Sequence, residues 1–194
     1  MATALGCATT ATSRPGSAAA PAAPAATPAP AAAAAAPTPA VHPAPVVLVG
    51  TYPRSAIVEA LPAWGAAIGQ ASPDARAAAA LLDIAPGPRV LVLFGSWCGD
   101  SRRELARLWS AFDLAGGEPR FEIRYVAVDR AKHEPAEMTA GRDLRYVPTF
   151  IVERDGHEVG RIVEVSPNGI ERDLLDLLSG ARSGVISART DLGP

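Results

Sequence analysis

The chain has 194 residues, a formal net charge of −2 and 48% hydrophobic residues. This length allows one ordinary domain with additional segments, and the balanced charge predicts no nucleic-acid surface. Two cysteines, Cys7 and Cys98, lie far apart, which excludes a disulfide framework. Outside the Ala/Pro-rich tract, no apolar run is long enough to predict a membrane-spanning helix.

The first seven residues, MATALGC, end in Cys7. Ala4 to Cys7 is similar to the end of a bacterial lipoprotein signal, which implies lipidation of Cys7, a membrane tether and a place in the cell envelope or periplasm. The −3 position is Ala4, where leucine is usual, and no charged or long apolar region precedes Cys7. Two interpretations stay open: a signal remnant whose true start lies upstream of Met1, or an incidental cysteine in a cytoplasmic protein.

Residues 8–45 are low-complexity alanine, proline, threonine and serine, and Arg14 is the only charged residue before Val46. Such a segment has almost no bulky apolar group to bury, so burial cannot offset the entropy of ordering it. Its repeated prolines favour an extended spacer. We predict a disordered linker over 8–45, followed by a folded domain over 46–182.

The domain opens with two predicted helices. Four apolar residues recur at i, i+4, i+7 and i+11, which is one face of a helix. They are Ile57, Leu61, Trp64 and Ile68. Ser72-Pro73-Asp74 is typical of a helix start, with a capping hydroxyl and then proline at the first helical position. The second helix is predicted from Ala75 to Leu82, before the Pro86-Gly87-Pro88 stop.

A strand, a helix and a second strand are predicted next. The continuous apolar run from Arg89 to Phe94 predicts a strand buried on both faces. After Cys98, apolar residues at helical spacing predict a helix that ends at Gly116-Gly117. Phe121 to Asp129 predicts the second strand, and a polar helical stretch follows over about 135–144.

A hairpin and a helix close the predicted domain. Thr149 to Glu153 and His157 to Val163 predict two strands joined at Asp155-Gly156, a strong turn signal. Apolar residues at helical spacing from Ile170 to Leu178 predict the closing helix, and residues 183–194 are predicted to be a flexible tail. The predicted fold class is α/β, a central mixed sheet flanked by helices with an N-terminal helical extension.

Cys98 follows the apolar strand and opens the next helix. A helix N-terminus carries partial positive charge and unpaired N–H groups, which stabilise a thiolate, the nucleophilic form of cysteine. Arg102 and Arg103 add positive charge in the first turn, whereas Asp100 opposes it. We therefore expect a reactive thiol; the alternative is a cysteine that serves as a small buried apolar residue.

Two motifs carry a family resemblance. Trp97-Cys98-Gly99-Asp100-Ser101 is similar to the WCGPC site of the thioredoxin superfamily, and Tyr146-Val147-Pro148-Thr149-Phe150 matches its V-P-T-F segment. The string WCGDSRREL also resembles a bacterial thioredoxin-like subgroup with WCGDS and a helical extension before the first strand. The resemblance covers about Arg89 to Ser179 and implies a thioredoxin fold, with the helices at 55–84 as that extension.

The resemblance implies a role for each residue around the sulfur. Pro148 would be the cis proline opposite Cys98, and the backbone of Val147 would hydrogen-bond an extended substrate segment. Trp97 would cap the sulfur and contact the partner. Gly99 and Asp100, which follow Cys98 in the motif, complete the candidate catalytic set with Cys98, Trp97, Ser101 and Pro148.

Three positions depart from the family pattern. Ser101 stands in place of the resolving cysteine; its hydroxyl cannot release a mixed disulfide by internal attack, although it can hydrogen-bond a thiolate. Val92 stands where the family buries an acid, and Asp100 replaces a proline. We expect a monothiol thiol–disulfide oxidoreductase in which Cys98 forms mixed disulfides with proteins or with small thiols of the glutathione type.

Two alternatives stay open. The fold could be a binding module without turnover that keeps the groove at Val147, Pro148 and Trp97. Cys-Gly-x-Ser also resembles the monothiol glutaredoxins, which bind an iron–sulfur cluster together with glutathione. The three scattered histidines show no metal-ligand spacing. We therefore expect no metal or other cofactor, and a monomer that acts on protein disulfides or thiols.

Overall fold

The computed structural model describes residues 47–192, which lie in one compact unit. The predicted linker over 8–45 and the lipid-anchor candidate Cys7 lie outside the described residues. Within 47–192, no helix is long and apolar enough to cross a membrane.

Six strands and six helices make up the described domain. The strands are β1 (Gly50–Tyr52), β2 (Arg89–Phe94), β3 (Glu122–Ala127), β4 (Thr149–Arg154), β5 (His157–Val163) and β6 (Gly184–Ile186). The helices are α1 (Arg54–Ala60), α2 (Pro62–Gln70), α3 (Ala75–Asp83), α4 (Gly99–Ala115), α5 (Ala136–Thr139) and α6 (Ile170–Ser179).

All six strands form one mixed sheet in the order β1-β3-β2-β4-β5-β6. The central pair β2 and β3 is parallel, with Val92 opposite Tyr125, and α4 connects the two strands. β4 runs antiparallel to β2 and forms the predicted hairpin with β5. The predicted α/β class, a mixed sheet flanked by helices, is confirmed.

The alternation of side chains along β2 builds a core on each face of the sheet. Val90, Val92 and Phe94 enter the larger cluster, which also contains side chains from α1, α2, α3, α4 and α6. Leu91 and Leu93 enter a smaller cluster on the opposite face. Trp97 and Cys98 pack against this smaller cluster, which places the candidate site beside it.

Three helical predictions need correction. The helix predicted through Leu61 is two helices, because Leu61 caps α1 and Pro62 begins α2. Proline lacks the N–H that would continue the first helix and suits the first position of the second. Asp74, and not Ser72, caps α3, since its carboxylate accepts the Ala77 N–H at 2.8 Å. The polar helix predicted over 135–144 is one short turn, α5.

The prediction of a flexible tail over 183–194 is wrong for the residues that the structure describes. β6 pairs in parallel with β5, and the Ile186 side chain is buried in the larger core cluster. β1, which was not predicted, pairs antiparallel with β3 at the other edge of the sheet. Both edge strands have three residues, too few to show the alternation from which a strand is predicted.

Candidate functional site

Cys98 is the N-cap of α4, at the end of the short loop that follows β2. Its N–H donates to the Gly95 carbonyl at 2.9 Å, and its carbonyl accepts the Arg102 N–H at 3.1 Å. The side chain is half-buried. The prediction that Cys98 opens this helix is confirmed, so the residue lies at the positive end of the helix dipole.

The segment from Tyr146 to Pro148, here called the Pro148 segment, meets this sulfur. The Val147-Pro148 peptide bond is cis, as predicted. The Cys98 thiol donates to the Val147 carbonyl oxygen, with 3.3 Å between Sγ and O. Within 47–192 the Val147 N–H makes no hydrogen bond. Val147 therefore presents two backbone groups beside the sulfur: a carbonyl that already accepts a hydrogen bond, and an N–H that is free to donate one.

Ser101 is fully buried one turn into α4. Its hydroxyl oxygen accepts the Gly95 N–H at 3.1 Å. In the described domain it makes no hydrogen bond to the Cys98 sulfur, so the expected contact with the thiolate is not seen. Ser101 instead fixes the loop that carries Cys98, because Gly95 is held by Ser101 on its N–H and by Cys98 on its carbonyl.

The charges beside the sulfur are unevenly paired. Asp100 forms an ion pair with Arg103 at 2.7 Å, whereas the exposed Arg102 forms no ion pair within the described domain. Gly99 is exposed, and a Cβ placed there would meet no atom within 4 Å. The start of α4 also lines an open cleft of about 790 Å³ whose opposite wall comes from α2. A ligand can therefore approach this end of the helix, where Arg102 favours negative charge.

Trp97 packs beside Cys98 and brings in a residue that the sequence analysis missed. The Arg130 guanidinium lies 5.2 Å from the centre of the indole ring, a cation–π distance. The indole Nε1 is buried and has no hydrogen-bond partner in the described part of the chain. Arg130 directly follows Val128-Asp129 after β3, and nothing in its sequence position indicated a contact with Trp97.

Asp129 organises the loop that carries Arg130. Its carboxylate accepts the N–H groups of Glu134 at 2.9 Å, His133 at 2.7 Å and Ala131 at 3.2 Å. These backbone hydrogen bonds, that of Glu134 above all, hold the pKa of Asp129 below its usual value. An aspartate that bonds the backbone just after it is a common turn device, so this loop is fixed by a local signal.

Glu104 is a second missed residue near the start of α4. Its side chain is buried on the inward face of the helix, and Arg103 Nε lies 3.2 Å from its carboxylate. Burial raises the pKa of Glu104, and the neighbouring Arg103 offsets only part of this effect. Glu104 follows Ser101 by three residues, so the two side chains lie on the same face of α4; this spacing is the signal that indicates its burial.

Within 47–192 no group of three candidate metal ligands lies together. A second groove, of about 880 Å³, is lined by residues of β1, α1, α2 and β3 and contains none of the predicted site residues. Among the described residues, the predicted site residues lie together around Cys98 and the Pro148 segment.

Comparison with known proteins gives the fold and no function. No family model matches the chain, and no curated protein matches it. Two solved structures are similar: a protein of unknown function from Pseudomonas aeruginosa, with a TM-score of 0.51, and an HIV epitope-scaffold, with a TM-score of 0.50. Each is 20% identical, and each alignment covers 70% of this chain and 95% of the other. Likeness at this identity supports a shared mixed α/β fold.

Proposed function

We propose that the domain is a thioredoxin fold of the bacterial WCGDS subgroup and acts as a monothiol thiol–disulfide oxidoreductase. The strand–helix–strand unit followed by a hairpin and a helix supports this fold. So do Cys98 at the start of α4 and the cis bond before Pro148. The structure adds two edge strands to the predicted order of elements: β1, which pairs antiparallel with β3, and β6, which pairs with β5.

The single observation that carries the function is the 3.3 Å contact between Cys98 Sγ and the Val147 carbonyl. It brings together two motifs that are 49 residues apart in the chain. A half-buried sulfur at a helix N-terminus, beside a backbone N–H that is free, is suited to meet an extended substrate strand. The N–H can pair with that strand as an edge residue pairs in a sheet.

The proposed reaction is thiol–disulfide exchange in two steps. The Cys98 thiol releases its proton to solvent, and the thiolate attacks one sulfur of a disulfide R–S–S–R′. The Sγ–S bond to R forms, the S–S bond breaks, and R′ leaves as a thiolate that takes up a proton. A second thiol, R″SH, loses its proton to solvent, and its thiolate attacks the sulfur of R; the bond between that sulfur and Cys98 Sγ breaks, and Cys98 leaves as a thiolate. The disulfide changes partners, with no net oxidation or reduction.

Release from outside is required because the site has no second thiol. The Ser101 hydroxyl is buried and bonded to Gly95, and a hydroxyl cannot attack a disulfide as a thiolate does. Val92, at the position of the family acid, is fully buried in the larger apolar cluster. The residues present thus support formation of a mixed disulfide and not its internal resolution.

The test is reaction with glutathione disulfide. The full chain carries Cys7→Ser, so that the only thiol is that of Cys98, and mass spectrometry follows its peptide. We expect one glutathionyl group on Cys98, removed by added reduced glutathione, and none on the Cys7→Ser/Cys98→Ser control. A native protein that stays unmodified at high glutathione disulfide contradicts the oxidoreductase proposal.

Ser101→Cys tests the monothiol claim. In the glutathionylated variant, the introduced thiolate attacks Cys98 Sγ, forms an internal disulfide and expels reduced glutathione. We expect this release without added thiol in Ser101→Cys and no release in the parent chain. Spontaneous release from the parent, measured as free glutathione in solution, would show that Ser101 does not limit the reaction.

A binding module without turnover is the second candidate, since the free Val147 N–H and the Trp97 face do not depend on the sulfur. The two candidates separate at Cys98→Ser. This substitution abolishes exchange if the domain is an oxidoreductase, whereas it leaves partner affinity unchanged if the groove alone is used. An equilibrium binding measurement with the same partner protein, made on the parent and on Cys98→Ser, distinguishes the two candidates.

A further inference from the structure

The chain beyond β6 returns to the Pro148 segment. The Ser187 hydroxyl donates to the Val163 carbonyl at 2.8 Å, and the Ala188 N–H donates to the Val165 carbonyl at 2.9 Å. These two bonds fix the C-terminal residues along the end of β5. The residues predicted to be a loose tail are therefore held beside the candidate site.

Arg189 and Asp191, here called the C-terminal clamp, enclose Tyr146. The Arg189 guanidinium lies 3.8 Å from the centre of the Tyr146 ring, and the Tyr146 hydroxyl donates to Asp191 at 2.8 Å. Arg189 also donates to both carboxylate oxygens of Asp191, at 2.7 and 3.0 Å, and to Glu164 at 2.8 Å. Hydrogen bonds from Arg189 and Tyr146 lower the pKa of Asp191 to about 2, so the clamp is charged at neutral pH.

Each residue of the Pro148 segment is then tied to a neighbour. The Tyr146 carbonyl accepts the Thr149 hydroxyl at 2.7 Å, and the Pro148 carbonyl accepts the Glu164 N–H at 2.7 Å. Val147 lies between these two residues with hydrogen-bonded carbonyls, and its own carbonyl accepts the hydrogen bond from the Cys98 thiol. A continuous path of contacts leads from Arg189 to the peptide group that faces the thiol.

We propose that the C-terminal clamp positions the Val147 peptide group for an extended disulfide substrate. Arg189 and Asp191 do not touch the reacting sulfur; they are positioning residues that act through Tyr146. The inference rests on the proposed exchange at Cys98. Because ion pairs this exposed add little to stability, the contribution of the clamp is expected in recognition of the substrate backbone and not in folding.

Two chromogenic disulfides separate recognition from sulfur reactivity. The first is a neutral peptide whose single cysteine is linked to thionitrobenzoate; the second is dithiobisnitrobenzoate, which has no peptide backbone. In both, Cys98 Sγ bonds to one sulfur, the S–S bond breaks, and coloured thionitrobenzoate leaves as the thiolate. The full chain with Cys7→Ser is the parent, so that every signal comes from Cys98.

We expect Arg189→Gln to slow the peptide disulfide by about five- to tenfold, the effect of losing one or two backbone hydrogen bonds. The rate with dithiobisnitrobenzoate should stay within twofold of the parent, and so should both rates in Arg145→Gln. Arg145→Gln is the matched control, since it removes an exposed guanidinium that pairs with Asp143 beside Tyr146 but leaves the clamp contacts in place.

Tyr146→Phe keeps the ring under Arg189 and removes only the hydroxyl bond to Asp191. It supplies the test if Arg189→Gln unfolds, and we expect a slower peptide reaction in the same direction. Equal peptide rates in the parent and in folded clamp variants overturn the clamp, as does an equal loss with both disulfides. A parent that does not react with either disulfide overturns the proposed function, and the clamp with it.

Discussion

Gly95 and Trp97 set the geometry of the loop before Cys98. A Cβ on Gly95 would lie 2.8 Å from Trp97 Cε2 and 2.9 Å from Cζ2, closer than real side chains pack. The same glycine gives its N–H to Ser101 and accepts the Cys98 N–H. Trp97 can cover this backbone only because Gly95 has no side chain.

Gly95→Ala should therefore displace the indole and destabilise the domain by about 1–3 kcal/mol, the usual cost of overpacking. Urea unfolding measures the change, and the mixed-disulfide rate at Cys98 should fall with it. Gly99→Ala is the control in the same motif, because its Cβ would point into open space. Equal unfolding free energies for the two variants would show that the Trp97 contact is not tight.

At the level of the elements, an ion pair between a partly exposed arginine and a buried carboxylate joins α4 to α6. Glu171 is fully buried and receives two hydrogen bonds from Arg107, at 2.8 and 2.7 Å, and a third from the Asp74 N–H at 2.9 Å. Gly169, at φ 96°, makes room for it, since a Cβ there would lie 2.7 Å from Arg107 Nη2. Burial alone would raise the pKa of Glu171, but Arg107 and the Asp74 N–H bring it below its usual value.

Arg107→Ala leaves this carboxylate without its cation and should lower the free energy of unfolding at pH 7 by about 1–3 kcal/mol. The partly exposed guanidinium gives a smaller effect than a fully buried pair would. Because the folded-state pKa of Glu171 is depressed, the stabilisation is present above the unfolded value of about 4.3 and is lost as the pH falls through the folded value.

Urea unfolding at pH 7 and at pH 3.5 measures both effects, and we expect the difference between parent and variant to shrink at the lower pH. Arg124→Ala, which removes an exposed pair with Glu122, is the control and should change stability by less than about 0.5 kcal/mol. A difference that stays constant with pH would mean that the Arg107 side chain acts by packing and not by charge.

The elements that could be predicted are those with a local signal. β2 was predicted from its apolar run and the β4–β5 hairpin from Asp155-Gly156. Pro62 indicates a break between α1 and α2, but the apolar spacing from Ile57 to Ile68 continues across it and favours a single helix. β1 and β6 could not be predicted, because three residues carry no period and their strand state comes from pairing with β3 and β5.

At the scale of the whole molecule, the sheet brings together distant parts of the chain. Cys98 and Pro148 were predicted as neighbours from their motifs alone, and the structure places Val147 against the sulfur. Arg130 and the C-terminal clamp were missed, since each reaches the site from the end of a different strand. Their positions depend on the strand order, which short-range sequence patterns do not specify.

Exchange at Cys98 requires a reactive thiol, and the alkylation rate of Cys98 measures that reactivity. In the full chain with Cys7→Ser, iodoacetamide labelling at pH 7 is timed for the native protein and for the same protein unfolded in urea. We expect several-fold faster labelling in the native state, the behaviour of a reactive cysteine at a helix N-terminus. Native labelling that is slower than in the unfolded chain would contradict it and leave Cys98 an ordinary, partly buried thiol.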